Sequence, residues 1–142
     1  MEVRVKKAHI DAIIPQDQND GDSGFDLHCI NDVTLFPGET SLVDTGLIFE
    51  IPRGYEIQIR PRSGLSLKTA LRINNAPGTI DFGYRSQVGL ICSNVGSDIL
   101  TFNKHSRLAQ GVLCPVVKAQ FKVVDELTST SRGTNGLGST GI

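Results

Sequence analysis

The stretch Tyr55-Glu56-Ile57-Gln58-Ile59-Arg60 alternates apolar and polar side chains, so three apolar residues share one face and three polar residues the other. Period-two alternation is the signature of a half-buried β-strand. The same pattern recurs as Phe25/Leu27/Cys29, Val88/Leu90/Cys92 and Val112/Cys114/Val116. Turn chemistry separates these runs. Pro37-Gly38-Glu39-Thr40 and Pro52-Arg53-Gly54 place proline and glycine where the chain must reverse. Only the run 64–71, GLSLKTAL, has helical character, and it is short. No internal repeat is visible. Many short strands at such spacing predict an all-β sandwich, jelly roll or small barrel with one short helix.

The end of the chain departs from this pattern. Eleven of residues 128–142 are Gly, Ser or Thr, so the segment buries too little apolar surface to order itself alone. The expected division is a β-barrel domain over 1–127 and a flexible tail over 128–142. Within the tail, Gly136 to Gly141 spells G-x-G-x-x-G. That signature cradles phosphate when a strand precedes it and a helix N-terminus follows. The printed sequence supplies no such helix, so a nucleotide role here needs another mechanism.

Composition narrows the choices. The chain has 142 residues, enough for one domain, with 39% hydrophobic residues and a formal net charge of −1. No global field favours nucleic acid or a membrane surface, and an anionic ligand must be met by local donors. No apolar run reaches signal-peptide or membrane-span length. Cys29, Cys92 and Cys114 are odd in number and lack C-x-x-C spacing, so they are expected as small buried residues in a reducing, cytoplasmic setting. His9, His28 and His105 share no ligand spacing with them.

Four further stretches carry candidate chemistry. In Ser23 to His28, Asp26 sits between two residues of an apolar stripe. In Arg60 to Ser66, Pro61 ends a strand and Arg62, Ser63 and the Gly64 backbone open the short helix, a possible anion contact. In 74–90, the Pro77-Gly78 and Phe82-Gly83 pairs bracket Thr79-Ile80-Asp81, a hairpin that aims Asp81 and Tyr84 from a rigid frame. In 106–116, Gln110 occupies a strand stripe that is otherwise apolar, and a buried amide needs partners.

Taken in order with the tail, these stretches resemble the five motifs of the trimeric deoxyuridine triphosphatase (dUTPase) family, from about residue 23 to 141. A-G-[FYL]-D-L matches Ser23 to Leu27, and P-R-S-[GS]-L matches Pro61 to Leu65 unchanged. G-x-I-D-x-x-Y-R-G matches from Gly78 to Arg85, with Ser86 in place of the last glycine. R-[IL]-A-Q matches Arg107 to Gln110, and R-G-x-G-G-F-G-S-T-G matches Arg132 to Gly141. The resemblance implies a jelly-roll β-barrel assembled as a homotrimer, with each active site between subunits. It implies hydrolysis of dUTP to dUMP and diphosphate, which keeps uracil out of DNA and supplies dUMP for thymidylate synthesis. By the same resemblance Asp81 is the general base for a water attacking the α-phosphorus. Ser63, Gly64 and Gln110 hold phosphate oxygens, with Arg62 supplying charge. Asn75, Gly78, Thr79, Ile80 and Gly89 surround uracil, and Tyr84 packs under the deoxyribose. Arg132, Leu137, Gly138, Ser139 and Thr140 close over the triphosphate from a neighbouring chain, their backbone N–H groups forming a nest. Mg²⁺ is expected on the triphosphate and its waters, with Asp26 reaching the ion only through water.

The chain departs from the family pattern at Leu137, where Phe is usual and stacks on the base, at Asn135, where Gly is usual, and at His105-Ser106 before Arg107. Two alternatives share the fold. A dCTP deaminase relative carries a glutamate where Ile91 stands here, and a nucleotide-switched binding or regulatory protein needs no catalysis.

Overall fold

The computed structural model describes residues 1–16, 19–137 and 139–140. Eleven strands and one helix follow in chain order: β1 Arg4–Lys7, β2 Phe25–His28, β3 Val33–Leu35, β4 Thr40–Asp44, β5 Leu47–Glu50, β6 Tyr55–Pro61, α1 Ser63–Lys68, β7 Leu71–Ile73, β8 Gly78–Asp81, β9 Gly89–Asn94, β10 Leu100–Phe102 and β11 Arg107–Pro115. They form a four-stranded sheet β2-β11-β6-β8, a three-stranded sheet β4-β9-β7 and the pairs β1-β5 and β10-β3. The recorded pairings are antiparallel. The architecture is the expected all-β, jelly-roll-like one. Among the described residues, no helix is long and apolar enough to cross a membrane.

The strand predictions hold where alternation is clean. Ile57 and Ile59 of β6 point into the core, as do Leu27 and Cys29 near β2 and Val88, Leu90 and Cys92 around β9. Leu35, Leu47, Ile51 and Leu108 complete the buried set, so strands distant in sequence share one core. The helix runs over Ser63–Lys68, slightly earlier than the 64–71 pattern suggested. Thr69 ends it, its hydroxyl and backbone N–H both donating to the Leu65 carbonyl. Both expected turns form, with Gly38 and Gly54 at φ of 77° and 87°, a region that favours glycine.

Strand β11 differs from its predicted phase. Gly111 and Leu113 lie opposite Ile59 and Ile57, and residues directly opposite one another share a face. Gly111, Leu113 and Ala109 therefore face the core, while Gln110, Val112 and Cys114 lie on the opposite face with Arg60, Gln58 and Glu56, where Val112 is nevertheless buried against Gly24. The core side must be slim because the Phe25 ring lies against Gly111; a Cβ there would sit 2.5 Å from ring atoms. Cys114 is consequently half-buried, unlike Cys29 and Cys92, and receives a long contact of 3.6 Å from Arg60. All three cysteines are free thiols. Burial pushes the Cys92 thiol up to about 12.

A second difference concerns 74–90. Strands β7 and β9 pair with each other, but the arm between them does not close on itself. Instead β8 crosses to the other sheet and becomes its edge beside β6. The hairpin is therefore a bridge between sheets. The last described strand ends at Pro115, and residues 116–127 leave Val117, Phe121, Val123 and Leu127 exposed.

Candidate active site

Two clusters gather the residues singled out by sequence. The first is an open cleft of about 770 Å³ between β2, α1 and β11. Asp26, Arg62, Ser63, Gly64 and Gln110 line it, joined by Asn19, Asp22, Lys68, Thr69 and Arg107. Asp26 is buried at 8% exposure and accepts two cations: Arg62 Nε at 2.8 Å on Oδ1 and Arg107 NH1 at 3.2 Å on Oδ2. A buried carboxylate is tolerable only when paired in this way. A second Arg62 nitrogen donates to the Arg107 carbonyl at 3.2 Å, so the guanidinium is held at two points. Gln110 Nε2 donates to the Pro61 carbonyl at 2.9 Å, which fixes its amide plane. Gly24 packs closely beside it; a Cβ there would meet Gln110 Oε1 at 2.7 Å and the Gly111 carbonyl at 3.1 Å, so the Gln110 amide would have to move.

The second cluster lies on the β8 arm. Asn75 folds its amide against Gly78, and Thr79, Ile80 and Asp81 follow along the strand. Asp81 is exposed at the strand end. The turn after it is braced on several sides. Tyr84 N–H donates to the Asp81 carbonyl at 3.0 Å, and Arg85 donates to the Phe82 and Tyr84 carbonyls at 2.6 and 3.0 Å. The Arg53 guanidinium lies 4.8 Å over the Phe82 ring, a cation–π contact. Tyr84 Oη donates to the Gln87 carbonyl at 3.1 Å. Gly89 stands at the foot of the arm beneath Leu42, whose side chain would have to shift to admit a Cβ there.

The two clusters are well separated. Asp81 lies opposite Glu56, whereas Gln110 lies opposite Arg60 and Arg62 follows two residues later. The four strand steps from Glu56 to Arg60 correspond to roughly 13 Å, and Arg62 lies two residues beyond, roughly 20 Å along the chain. One chain therefore holds two separate clusters.

The described residues of the tail join neither of them. Arg132 Nε donates to the Asn135 carbonyl at 3.0 Å, Leu137 is fully exposed, and the backbone N–H of Ser139 donates to the Gly136 carbonyl at 3.1 Å. Thr140 is exposed, and Gly138 lies outside the described residues. Arg107 and Lys68 are cleft residues that the sequence reading passed over. Arg107 was signalled, since it opens the R-[IL]-A-Q match. Lys68 carried no signal beyond its place in the helix.

His28 lies beside the first cluster, opposite Arg107 across β2 and β11. Its Nδ1 is buried and has no partner among the described residues. Burial pushes its pKa below the usual 6.5, opposed by the Asp26 charge and reinforced by Arg107, His105 and Arg62. The unfolded chain therefore binds this proton first, and stability must fall as pH drops below about 6.5. The fall in melting temperature between about pH 7.5 and about pH 5.5 is expected to shrink in His28→Asn. An equal fall in both proteins contradicts the assignment.

Among the described residues, no group of three or more His, Cys, Asp or Glu side chains could hold a metal ion. The cleft offers hydroxyl and amide groups and two carboxylates, Asp26 paired with two arginines and Asp22 accepting from Asn19. That donor set suits a cation carried in on a polyphosphate and its waters, not a protein cage.

Residues 11–141 match the family model described as dUTPase. The chain is 49% identical over 141 residues to the deoxyuridine 5'-triphosphate nucleotidohydrolase of a Picosynechococcus species, covering 99% of both chains. Its fold superposes on the dUTPase of Staphylococcus bacteriophage 80alpha with dUPNHPP at a TM-score of 0.93 and 27% identity, covering 99% of each. A mutant dUTPase from phage phi11 of S. aureus, described with a structural Mg(II) ion, superposes at 0.83 with 26% identity, covering 89% of this chain and 98% of that one.

Proposed function

The chain belongs to the dUTPase family and hydrolyses dUTP to dUMP and diphosphate, and from that premise we propose how its residues share the work. The observation that carries the proposal is the split site. Attack on an α-phosphorus needs the base and the phosphate-holding groups within a few ångströms of one atom. A single chain keeps Asp81 and the Arg62/Ser63/Gln110 cleft apart along β6, by roughly 13 Å at Gln110 and roughly 20 Å at Arg62. A working site therefore combines the β8 arm of one subunit with the cleft of another, and a closed ring of three copies satisfies this for every subunit at once.

In that arrangement Asn75, the main chain of Gly78, Thr79 and Ile80, and Gly89 surround uracil. The narrow arm excludes a 5-methyl group, and its fixed donors and acceptors mismatch cytosine. Tyr84 packs under the deoxyribose and leaves no room for a 2′-hydroxyl. Asp81 takes a proton from the attacking water, and the α-phosphate–diphosphate bond breaks with diphosphate as the leaving group. Ser63, the Gly64 backbone and Gln110 hold phosphate oxygens of the neighbouring half-site, and Arg62 supplies charge. Mg²⁺ brought in on the triphosphate would neutralise charge there, and Asp26 would hold one of its waters through a carboxylate lone pair. The tail of a third chain closes the site, Arg132 meeting the γ-phosphate and 137–140 wrapping the nucleotide as a nest.

A deaminase is disfavoured by Ile91, which lies opposite Leu42 on β9 and offers no carboxylate. The test is a panel of dUTP, dCTP, dTTP and UTP with magnesium, scored for diphosphate and ammonia. Diphosphate from dUTP alone and no ammonia from dCTP is the expected result. Ammonia release, or equal turnover of UTP, overturns the specificity argument.

A further inference from the structure

We propose that Arg53 is a positioning residue for the hydrolysis, which holds the Asp81 carboxylate in place through its stack on the Phe82 ring. This rests on the assignment of Asp81 as the general base.

Among the described residues, the Asp81 carboxylate has no hydrogen-bond or ion-pair partner, so the backbone on either side must set its direction. On one side lies β8, where Asp81 is the last residue and pairs with Glu56. β8 is an edge strand with β6 as its neighbour, and the ladder ends at this pair. On the other side lies the turn 82–85. Its hydrogen bonds join residues 81–87 to one another. Those bonds set the shape of the turn but not its place relative to the sheet. Packing at Gly83 adds nothing, since even a Cβ there would meet no atom within 4 Å.

The Arg53 stack supplies the missing attachment. Tyr55 N–H donates to the Pro52 carbonyl at 3.2 Å, and Gly54 has φ of 87°, as a type II turn requires of its third residue. Val116 N–H donates to the Gly54 carbonyl at 2.8 Å and fastens this turn to the end of β11. Arg53 therefore stands on a platform fixed by two strands. Its guanidinium has no hydrogen-bond or ion-pair partner among the described residues, and it lies 4.8 Å from the Phe82 ring centroid. The stack thus clamps the residue after Asp81, one step beyond the last ladder pair. Arg53, Phe82 and Asp81 line one cavity of about 220 Å³ with Tyr55 and Val116, so clamp and carboxylate are neighbours.

Single-turnover hydrolysis of dUTP with magnesium, alongside calorimetry with the imido analogue dUPNHPP, tests this on the intact protein. Arg53→Ala is expected to lower the rate about 5- to 20-fold, part of the roughly 10²-fold that a misplacement of about 1 Å costs. Arg53 is exposed, so analogue affinity should stay within about twofold and the melting temperature within about two degrees. Arg53→Lys keeps a cation over the ring and should stay within about threefold of the parent rate. Phe82→Leu keeps the Arg53 charge but removes the ring, and it should reproduce the Arg53→Ala loss. The double variant should be no slower than either single one. In Asp81→Asn protein, Arg53→Ala should cause no further loss, because the group it positions is no longer a base. A slow Arg53→Ala beside a Phe82→Leu at the parent rate makes the effect one of charge alone and overturns the proposal. An equal loss in the Asp81→Asn background, a matching loss of analogue affinity, or an unchanged rate in Arg53→Ala overturns it too. Asp81→Asn protein that itself turns over like the parent overturns the base assignment before any Arg53 variant is read, which separates the two failures.

Discussion

Asp81→Asn is expected to retain nucleotide binding and the fold while slowing dUTP turnover by about 10²–10⁴, the usual contribution of a positioned general base. The amide is nearly isosteric with the carboxylate but cannot take the proton from water. Nothing in the surroundings depends on the charge: Asp81 is exposed, and the contacts that brace its turn involve its backbone carbonyl, Phe82, Tyr84, Arg85 and Arg53. The loss should therefore fall on kcat and leave KM within a few-fold. Diphosphate release under single-turnover conditions, alongside analogue binding, measures both. Turnover near that of the parent protein removes Asp81 from the mechanism. A rise in KM with kcat preserved reassigns it to binding.

The second large effect concerns the tail. Deleting 128–142 is expected to leave the melting temperature within a degree or two, because no described residue of the segment lines the cleft or belongs to the core of its own chain. Activity should nevertheless drop by at least ~10², since Arg132 and the nest withdraw several charge-assisted hydrogen bonds from the triphosphate. A tail that is mere fray changes neither quantity. Mixing sharpens the result. Tail-deleted chains combined with Asp81→Asn chains should regain measurable activity after subunit exchange, because some mixed sites receive both an intact base and an intact tail. Exchanged oligomers that stay inactive place the tail over its own chain's site. Light scattering that reports a monomer of about 15 kDa under active conditions removes the shared site altogether.

Much of this molecule could be read from the order of its residues. Alternation identified β6 and the strands around Leu27 and Leu90, because clean apolar–polar alternation needs no knowledge of the partner strand. Motif spacing brought Asp26, Arg62, Ser63 and Gln110 to notice together, and the structure assembles them in one cleft. What alternation could not decide was which face of β11 meets the core. Val112, Cys114 and Val116 read as an inward stripe, yet Gly111 must lie beneath the Phe25 ring, so the slim residues turn inward and Gln110 faces the cleft. The register shift between Arg107 and Ala109 was also invisible, since a register shift exists only relative to a neighbouring strand. The same limit applies to β8, whose partner β6 lies about twenty residues earlier in the chain. That pairing carries Asp81 away from the cleft and leaves each chain with two separated clusters. Local sequence determined which residues alternate and which carry chemistry; non-local strand pairing decided their faces and distances, because those depend on hydrogen bonds between segments far apart in the chain.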